Sequence, residues 1–316
     1  MKFVKIPEDG ASWDSPLCYT IATELSEPSD VVVEIVDAIS GEQMGVRRLY
    51  GITEAEIDIA PYVRGAIGVA VPSTATLQLS PVARRVVVRV GDVEAPSRLY
   101  YRTKVDVSTP HILSSTEQPR VVACGDAIRL TLFAKSEVRV TVRNLSILSP
   151  VAFQALVTCG MPVELAVDTS SYRGDSVSIM VEINCDRSVV FSLDYTVVEP
   201  SAGGCRLAWY NTKGGIECYT FPRMVQKSLE SQLMTDVVGV APRLRSVVAR
   251  YRLLSAMERT EEVKRILDIV LSPDLYECTG KECRSVRLLD RAIAFDDHGG
   301  LRRIELNIEK SWRREL

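Results

Sequence analysis

The stretch from Cys205 to Pro222, CRLAWYNTKGGIECYTFP, constrains the fold more than any other part of the chain. Two short strands around a Gly-Gly turn carry Leu207, Trp209, Ile216, Tyr219 and Phe221. A lone two-stranded hairpin cannot bury that many large side chains, so it must dock on something bigger. A turn centred on Lys213-Gly214 sets Cys218 opposite Trp209 and leaves Cys205 with no thiol across the ladder. Trp209 and Tyr210 are adjacent in one strand and point to opposite faces. At least one of them is therefore expected at the surface, as a contact for a neighbouring subunit.

The rest of the chain indicates what the hairpin docks on. Short apolar runs recur upstream with turn residues between them: VVVEIV at 31–36, RRVVVRV at 84–90, RLTLF at 129–133, VRVTVR at 138–143, VSIMVEI at 177–183 and VVFSLDYTVV at 189–198. Val138, Val140 and Val142 alternate with Arg139, Thr141 and Arg143, the pattern of a half-buried strand. Helical patterning is weak before residue 220. Two Pro- and Ser-rich stretches, STPHILSSTEQP at 108–119 and EPSAGG at 199–204, read as linkers. The expected fold is mainly β. Two N-terminal β-sandwich, Ig-like domains span 1–107 and 108–200, followed by a β-rich domain over 201–316.

One helix is expected in that last domain, from Thr260 to Leu271. Thr260 serves as N-cap, Glu261 and Glu262 sit in the first turn, and Pro273 lies beyond the end. Val263, Ile266, Leu267 and Val270 form one apolar face that packs on a sheet. The chain closes on a hairpin turning at DDHGG, 296–300, and returning through LRRIELNIE. The imperfect alternation of Leu301, Ile304, Leu306 and Ile308 allows a bulge there.

Catalytic motifs are missing from the sequence. His111 lies in the first linker and His298 in a Gly-rich turn, and neither accompanies a nucleophile-elbow pattern. There is no GxxxxGK[ST] and no GxGxxG to cradle phosphates. Asp290, Asp296 and Asp297 match no calcium-loop spacing. Cys278 and Cys283 bracket four residues, but with two histidines in the chain and no close second Cys pair they read as buried reduced thiols. The expectation is a protein that is not an enzyme and takes no cofactor or metal. Its candidate contact residues are Trp209, Tyr210, Asn211, Tyr219, Phe221 and Tyr62.

Charge bears on partners. Residues 1–200 carry 18 Lys and Arg against 25 Asp and Glu, and residues 201–316 carry 20 against 16, so the two parts have opposite sign. Such a distribution suits assembly through complementary faces as well as two ordinary solvated surfaces. The C-terminal basic residues alternate with acids, which points away from nucleic acid. The first 16 residues lack the apolar run of a signal peptide, and no stretch reaches about 18 consecutive apolar residues. The expected location is accordingly the cytoplasm, with no membrane partner.

Three segments resemble one family. EAEIDIAPYVR at 54–64, the hairpin from Trp209-Tyr210-Asn211 to Phe221, and the tail running from Leu271-Ser272-Pro273 through Leu275-Tyr276 to LRRIELNIE occur in the order found in uncharacterised phage and prophage virion proteins of Bacteroidetes-type bacteria. This chain has Ile216-Glu217-Cys218 where that family carries an aspartate followed by an aromatic residue. The resemblance implies a structural protein of the tail or baseplate, assembled in the cytoplasm into a homo-oligomer with other virion subunits. A carbohydrate-binding or adhesive β-sandwich protein recognising surface glycans is the alternative, and a host glycan is a possible ligand under either.

Overall fold

The computed structural model describes residues 1–23, 27–67, 77–108, 111–116, 120–134, 138–144, 153–157, 160–172, 177–185, 188–234, 243–272, 274–279, 282–289 and 294–313. Strands dominate, as the alternating runs require. No described helix is long and apolar enough to cross a membrane.

The first block contains β1 (Lys2–Lys5), β2 (Ala11–Ser12), β3 (Cys18–Ala22), β4 (Ser29–Asp37), β5 (Gln43–Ile52), β6 (Glu54–Asp58), the helix α1 (Ala60–Ala66), β7 (Leu77–Leu79), β8 (Arg84–Val90), β9 (Val93–Glu94) and β10 (Arg98–Tyr101). One sheet runs β1-β3-β6; the other runs β2-β10-β8-β4-β5, with β9 on β8. The two face each other across Tyr19, Ile21, Ile57, Val33, Ile35, Val88 and Tyr100. A hydroxyl pair, Tyr19 to Tyr100 at 2.7 Å, ties the layers together. The IDIAPYVR segment passes from β6 into α1. Pro61 fits the first helical turn, where a missing N–H is harmless. Asp58 Oδ1 accepts from the Ala60 N–H at 2.9 Å and the Leu17 N–H at 2.8 Å, fixing the helix entry.

The second block contains β11 (His111–Ile112), β12 (Arg120–Ala123), β13 (Ala127–Ala134), β14 (Val138–Asn144), β15 (Phe153–Val157), β16 (Met161–Asp168), β17 (Val177–Cys185) and β18 (Ser188–Val198). Its sheets are β11-β13-β16-β7 and β12-β18-β17-β14-β15. Leu130, Leu132, Val163 and Leu165 of the first meet Val140, Val142, Leu193, Tyr195 and Val197 of the second. The arginines of VRVTVR lie off this core, as the period-2 pattern expects. The first strand of that four-stranded sheet in chain order, β7, comes from before residue 107, so the two blocks share a sheet. The expected linker at 108–119 is only partly described. Its described part, 111–116, is no free linker: β11 pairs with β13, and Ile112, Leu113 and Ser114 are buried.

The third block contains β19 (Cys205–Tyr210), β20 (Ile216–Phe221), β21 (Arg223–Met234), β22 (Arg243–Glu258), α2 (Thr260–Leu267), β23 (Leu275–Thr279), β24 (Glu282–Leu288), β25 (Ala294–His298) and β26 (Leu301–Arg313). They form one sheet, β20-β19-β23-β24-β26-β22-β21, with β25 on β26. The helix starts at Thr260 as expected, but Arg259 and not Thr260 is its N-cap, and it continues after Leu267 as a 3-10 turn over Asp268–Val270. Val263, Ile266 and Ile269 are its buried residues, packed on Leu253, Ile304, Leu306 and Ile308. In β26, Ile304, Leu306 and Ile308 alternate cleanly. The irregularity lies in β22, where an extra residue intervenes between Leu254 and Met257. There the Ser255 hydroxyl accepts the Ile304 N–H at 2.8 Å, so the bulge leaves that donor satisfied.

Candidate functional site

The aromatic hairpin lies where the three blocks meet. Its register pairs Cys205 with Phe221, Ala208 with Cys218, Trp209 with Glu217 and Tyr210 with Ile216. The expected pairing of Cys218 with Trp209 is thus off by one residue. Asn211, rather than a two-residue turn, closes the loop: its N–H donates to the Gly215 carbonyl at 2.8 Å. Cys205 does lack a thiol opposite it. The described thiols Cys18, Cys124, Cys205, Cys218, Cys278 and Cys283 are all free. Cys278 and Cys283 face each other across β23 and β24, and their mutual contact pushes the Cys278 thiol up and the Cys283 thiol down.

Trp209 and Tyr210 do point to opposite faces, but neither reaches solvent; they are 0% and 1% exposed. On one face, Cys205, Leu207, Trp209, Tyr219 and Phe221 pack under α2 and against β26. On the other, Ala208, Tyr210 and Ile216 join Leu99 and Tyr101 of the first block and Leu113, Phe133 and Met161 of the second. The expected surface contact at Trp209 or Tyr210 is therefore corrected: these side chains weld the chain to itself. Asn211 and Phe221 are buried as well, and Tyr219 is 8% exposed. Tyr62 lies elsewhere, in the first block, with its ring against Gly45, where a Cβ would stand 2.2 Å from it.

The loop 211–215 is held by residues of both preceding blocks. Asn211 Oδ1 accepts from the Lys213 and Gly215 N–H groups, each at 2.9 Å. Its Nδ2 donates to the Leu113 carbonyl at 2.9 Å and to Glu217 Oε1 at 3.0 Å. The Tyr101 hydroxyl donates to the Gly214 carbonyl, and the Ile216 N–H donates to Thr131 Oγ1 at 2.9 Å. Gly214 has φ +79°, a conformation favouring glycine. Gly215 is required for a different reason: a Cβ there would lie 2.2 Å from the Leu113 carbonyl carbon, which is backbone and cannot rotate away. Gly215→Ala is expected to destabilise the chain by about 1–3 kcal/mol, read as a lowered denaturant midpoint; an unchanged midpoint would mean the Leu113 segment yields freely.

Buried charge reinforces the junction. Arg265 of α2 reaches Glu217 Oε2 at 3.1 Å and the Cys218 carbonyl at 2.9 Å, and it also pairs with Glu262. Arg206 of β19 donates to Asp126 at 3.1 Å and to the Ala127 carbonyl at 2.6 Å, bracing the second block. Sequence reasoning missed Glu164, whose one signal is a lone acid inside the apolar run MPVELAV. Its Oε1 accepts from Tyr210 at 2.9 Å and from Ser80 at 3.2 Å, while Oε2 has no hydrogen-bond partner among the described residues. Burial pushes this carboxyl up to about 7. At 2% exposure it is sealed from substrate, so it acts as an internal strut. Among the described residues no three His, Cys, Asp or Glu side chains converge as a metal site would need. Asp290 lies outside the described residues.

Beside the hairpin, between the second and third blocks, a cleft of about 850 Å³ opens to solvent. Val121 and Leu301 form apolar parts of its wall, and Glu199, Glu258, Glu261 and Glu262 bring negative charge. Tyr219, at its inner edge, donates to Glu258 Oε1 at 2.5 Å and accepts the Ala256 N–H at 3.2 Å. Burial raises the pKa of the Glu258 carboxyl.

No protein-family model matches this chain, and no curated protein matches it. Solved structures give distant likenesses. A chain from the complex of Dpr2 Ig1-Ig2 with DIP-Theta Ig1-Ig3 is 11% identical over 63% of this chain and 85% of its own, with a TM-score of 0.22. A tetra-tandem repeat from the extending region of a large adhesion protein is 10% identical over 79% of this chain and 68% of its own, also at 0.22. An endo-fucoidan hydrolase of glycoside hydrolase family 107 is 10% identical over 79% of this chain and 41% of its own, at 0.18. Likenesses at this level assign neither a family nor a function.

Proposed function

We propose that this chain is a non-enzymatic assembly protein, a stiff β-rich strut that works through protein–protein interfaces in a phage or prophage tail or baseplate. The observation that carries the reading is the core shared by all three blocks, in which Leu99, Tyr101, Leu113, Phe133, Met161, Tyr210 and Ile216 are buried together. A catalytic multi-block protein usually keeps a wet, mobile crevice between its blocks. Here aromatic rings and mostly hydrogen-bonded polar groups fill the shared core, with the acidic cleft opening beside it, and such a core suits load-bearing. The titratable groups at the junction, Glu164, Glu217 and Arg265, are tied up in internal bonds. The segment resemblance supplies the tail or baseplate context.

The carbohydrate reading needs exposed rings, and the hairpin rings Trp209, Tyr210 and Phe221 are all buried. Light scattering of the purified chain over a concentration series tests the proposal. A discrete closed oligomer, three- or six-fold, is expected. A strict monomer that binds immobilised glycans would overturn it in favour of the alternative.

A further inference from the structure

The acidic cleft and the long strands of the third block have a fixed geometrical relation. Arg223 of β21 pairs with Leu254 of β22, and Glu258 of β22 pairs with Arg302 of β26. The first residues of β21 and β26 and the last of β22 therefore meet at one place, and that place is the cleft, which Pro222, Glu258 and Leu301 line. From there the three strands run away together to the pairs Met234–Arg243 and Ser246–Arg313. A 12-residue strand such as β21 extends on the order of 40 Å. The far end of this arm cannot fold back into the cleft at its own root.

Arm and cleft are opposite in charge. The strands β21, β22 and β26 carry ten Lys and Arg against four Asp and Glu. Arg250 pairs with Glu230 and Glu309, Arg252 with Glu305, and the buried Lys310 with Glu277, which still leaves the strands net basic. The cleft brings together Glu199, Glu258, Glu261 and Glu262 against Arg259, with Glu262 already paired to the buried Arg265. Its wall also exposes Val121 (65%) and Leu301 (40%), large apolar side chains left in water by the isolated chain. None of the described side chains of β21, residues 223–230, is buried, so the arm's outer strand is open to a partner. Its free edge is nevertheless guarded. Lys227 falls at a register irregularity between Gln226 and Ser228, and a lysine at a bulge is a device that discourages edge-to-edge strand pairing. Association through the arm is then a matter of side-chain charge.

We propose that the cleft receives the basic arm of a second copy of this chain, a head-to-tail contact that repeats from copy to copy. The inference rests on the assembly reading above and names its partner. Such a contact is heterologous, closing into a ring or continuing as a filament according to the rotation per step. Being carried by side-chain charge, it weakens as salt rises.

The test is sedimentation velocity at low and high salt on the wild-type chain, on a cleft variant, Glu199→Lys/Glu261→Lys, and on an arm variant, Lys227→Glu/Arg243→Glu. Circular dichroism confirms that each is folded. The wild type is expected to associate at low salt, and each variant alone to associate at least tenfold more weakly. An equimolar mixture of the two variants is expected to regain association, because the reversed cleft then meets the reversed arm. Variants that associate like the wild type overturn the cleft–arm contact and leave the assembly reading standing. Failure of the mixture to recover, with both variants folded, also overturns it. A wild type monomeric throughout overturns this contact and the homo-oligomer together.

Discussion

Trp209→Ala is expected to lower the stability of the folded chain by about 3–5 kcal/mol. The indole is 0% exposed and fills the space between the hairpin, α2 and β26, against Leu207, Ile266 and Ile304. Removing it leaves a cavity that the strands cannot close, because β19 is hydrogen-bonded on both sides, to β20 and β23. A second substitution separates packing from polarity. The indole N–H has no hydrogen-bond partner among the described residues, so part of what Trp209 contributes is offset by a stranded donor. Trp209→Phe keeps a ring and removes that donor, and should retain clearly more stability than Trp209→Ala. Guanidinium unfolding midpoints of the three proteins check this. An alanine variant with a wild-type midpoint would mean that Trp209 is not in the core.

The second large effect depends on pH. Glu164 ionises at about 7 in the folded chain against an ordinary 4.5, because burial disfavours its charged form. Below pH 4.5 folded and unfolded chains both hold the proton, and the group does not alter their balance. Between 4.5 and 7 the folded chain keeps a proton that the unfolded chain has released, so stability falls as pH rises. Above 7 the loss is complete, at about 3 kcal/mol. Glu164→Gln preserves an acceptor for Tyr210 and Ser80 without the charge, so its stability profile should be flatter than the wild type between pH 5 and 8. The difference between the two profiles isolates this residue, and parallel profiles would sink the account. Because Ser80, Glu164 and Tyr210 belong to three different blocks, the lost stability should appear as weaker cohesion between them.

Much of the local structure was legible from residue order, and most of what was not legible is non-local. VRVTVR and VVVEIV became strands that bury Val140 and Val142, and Val31, Val33 and Ile35, because alternation is a property of neighbours along the chain. The apolar stripe of α2 was visible for the same reason. The hairpin was legible too, but its register slipped by one because the Asn211 side chain, and not the Gly-Gly pair alone, shapes the loop. Burial of both Trp209 and Tyr210 could not be read from an alternating strand, since the second face is covered by Leu99, Tyr101, Leu113, Phe133 and Met161, far earlier in the chain. The Ser- and Pro-rich segment at 108–119 looked like a linker, yet Ser114 is there to bond: its Oγ donates to the Ile216 carbonyl at 2.7 Å and accepts the Thr131 N–H at 2.8 Å. In α1, seven residues are too few for a periodic signal to build up.

The late position of the hairpin in the chain has a consequence for synthesis. Leu99, Tyr101, Leu113, Phe133 and Met161 all leave the ribosome before residues 205–221 exist to cover them. At roughly 5–20 residues per second, the interval between finishing the second block and completing the hairpin is on the order of one to a few seconds. For that time the nascent chain presents an adhesive aromatic face made by two blocks. Neighbouring nascent chains on one message would hold the same face close together, so prompt arrival of the third block acts as the chain's own chaperone.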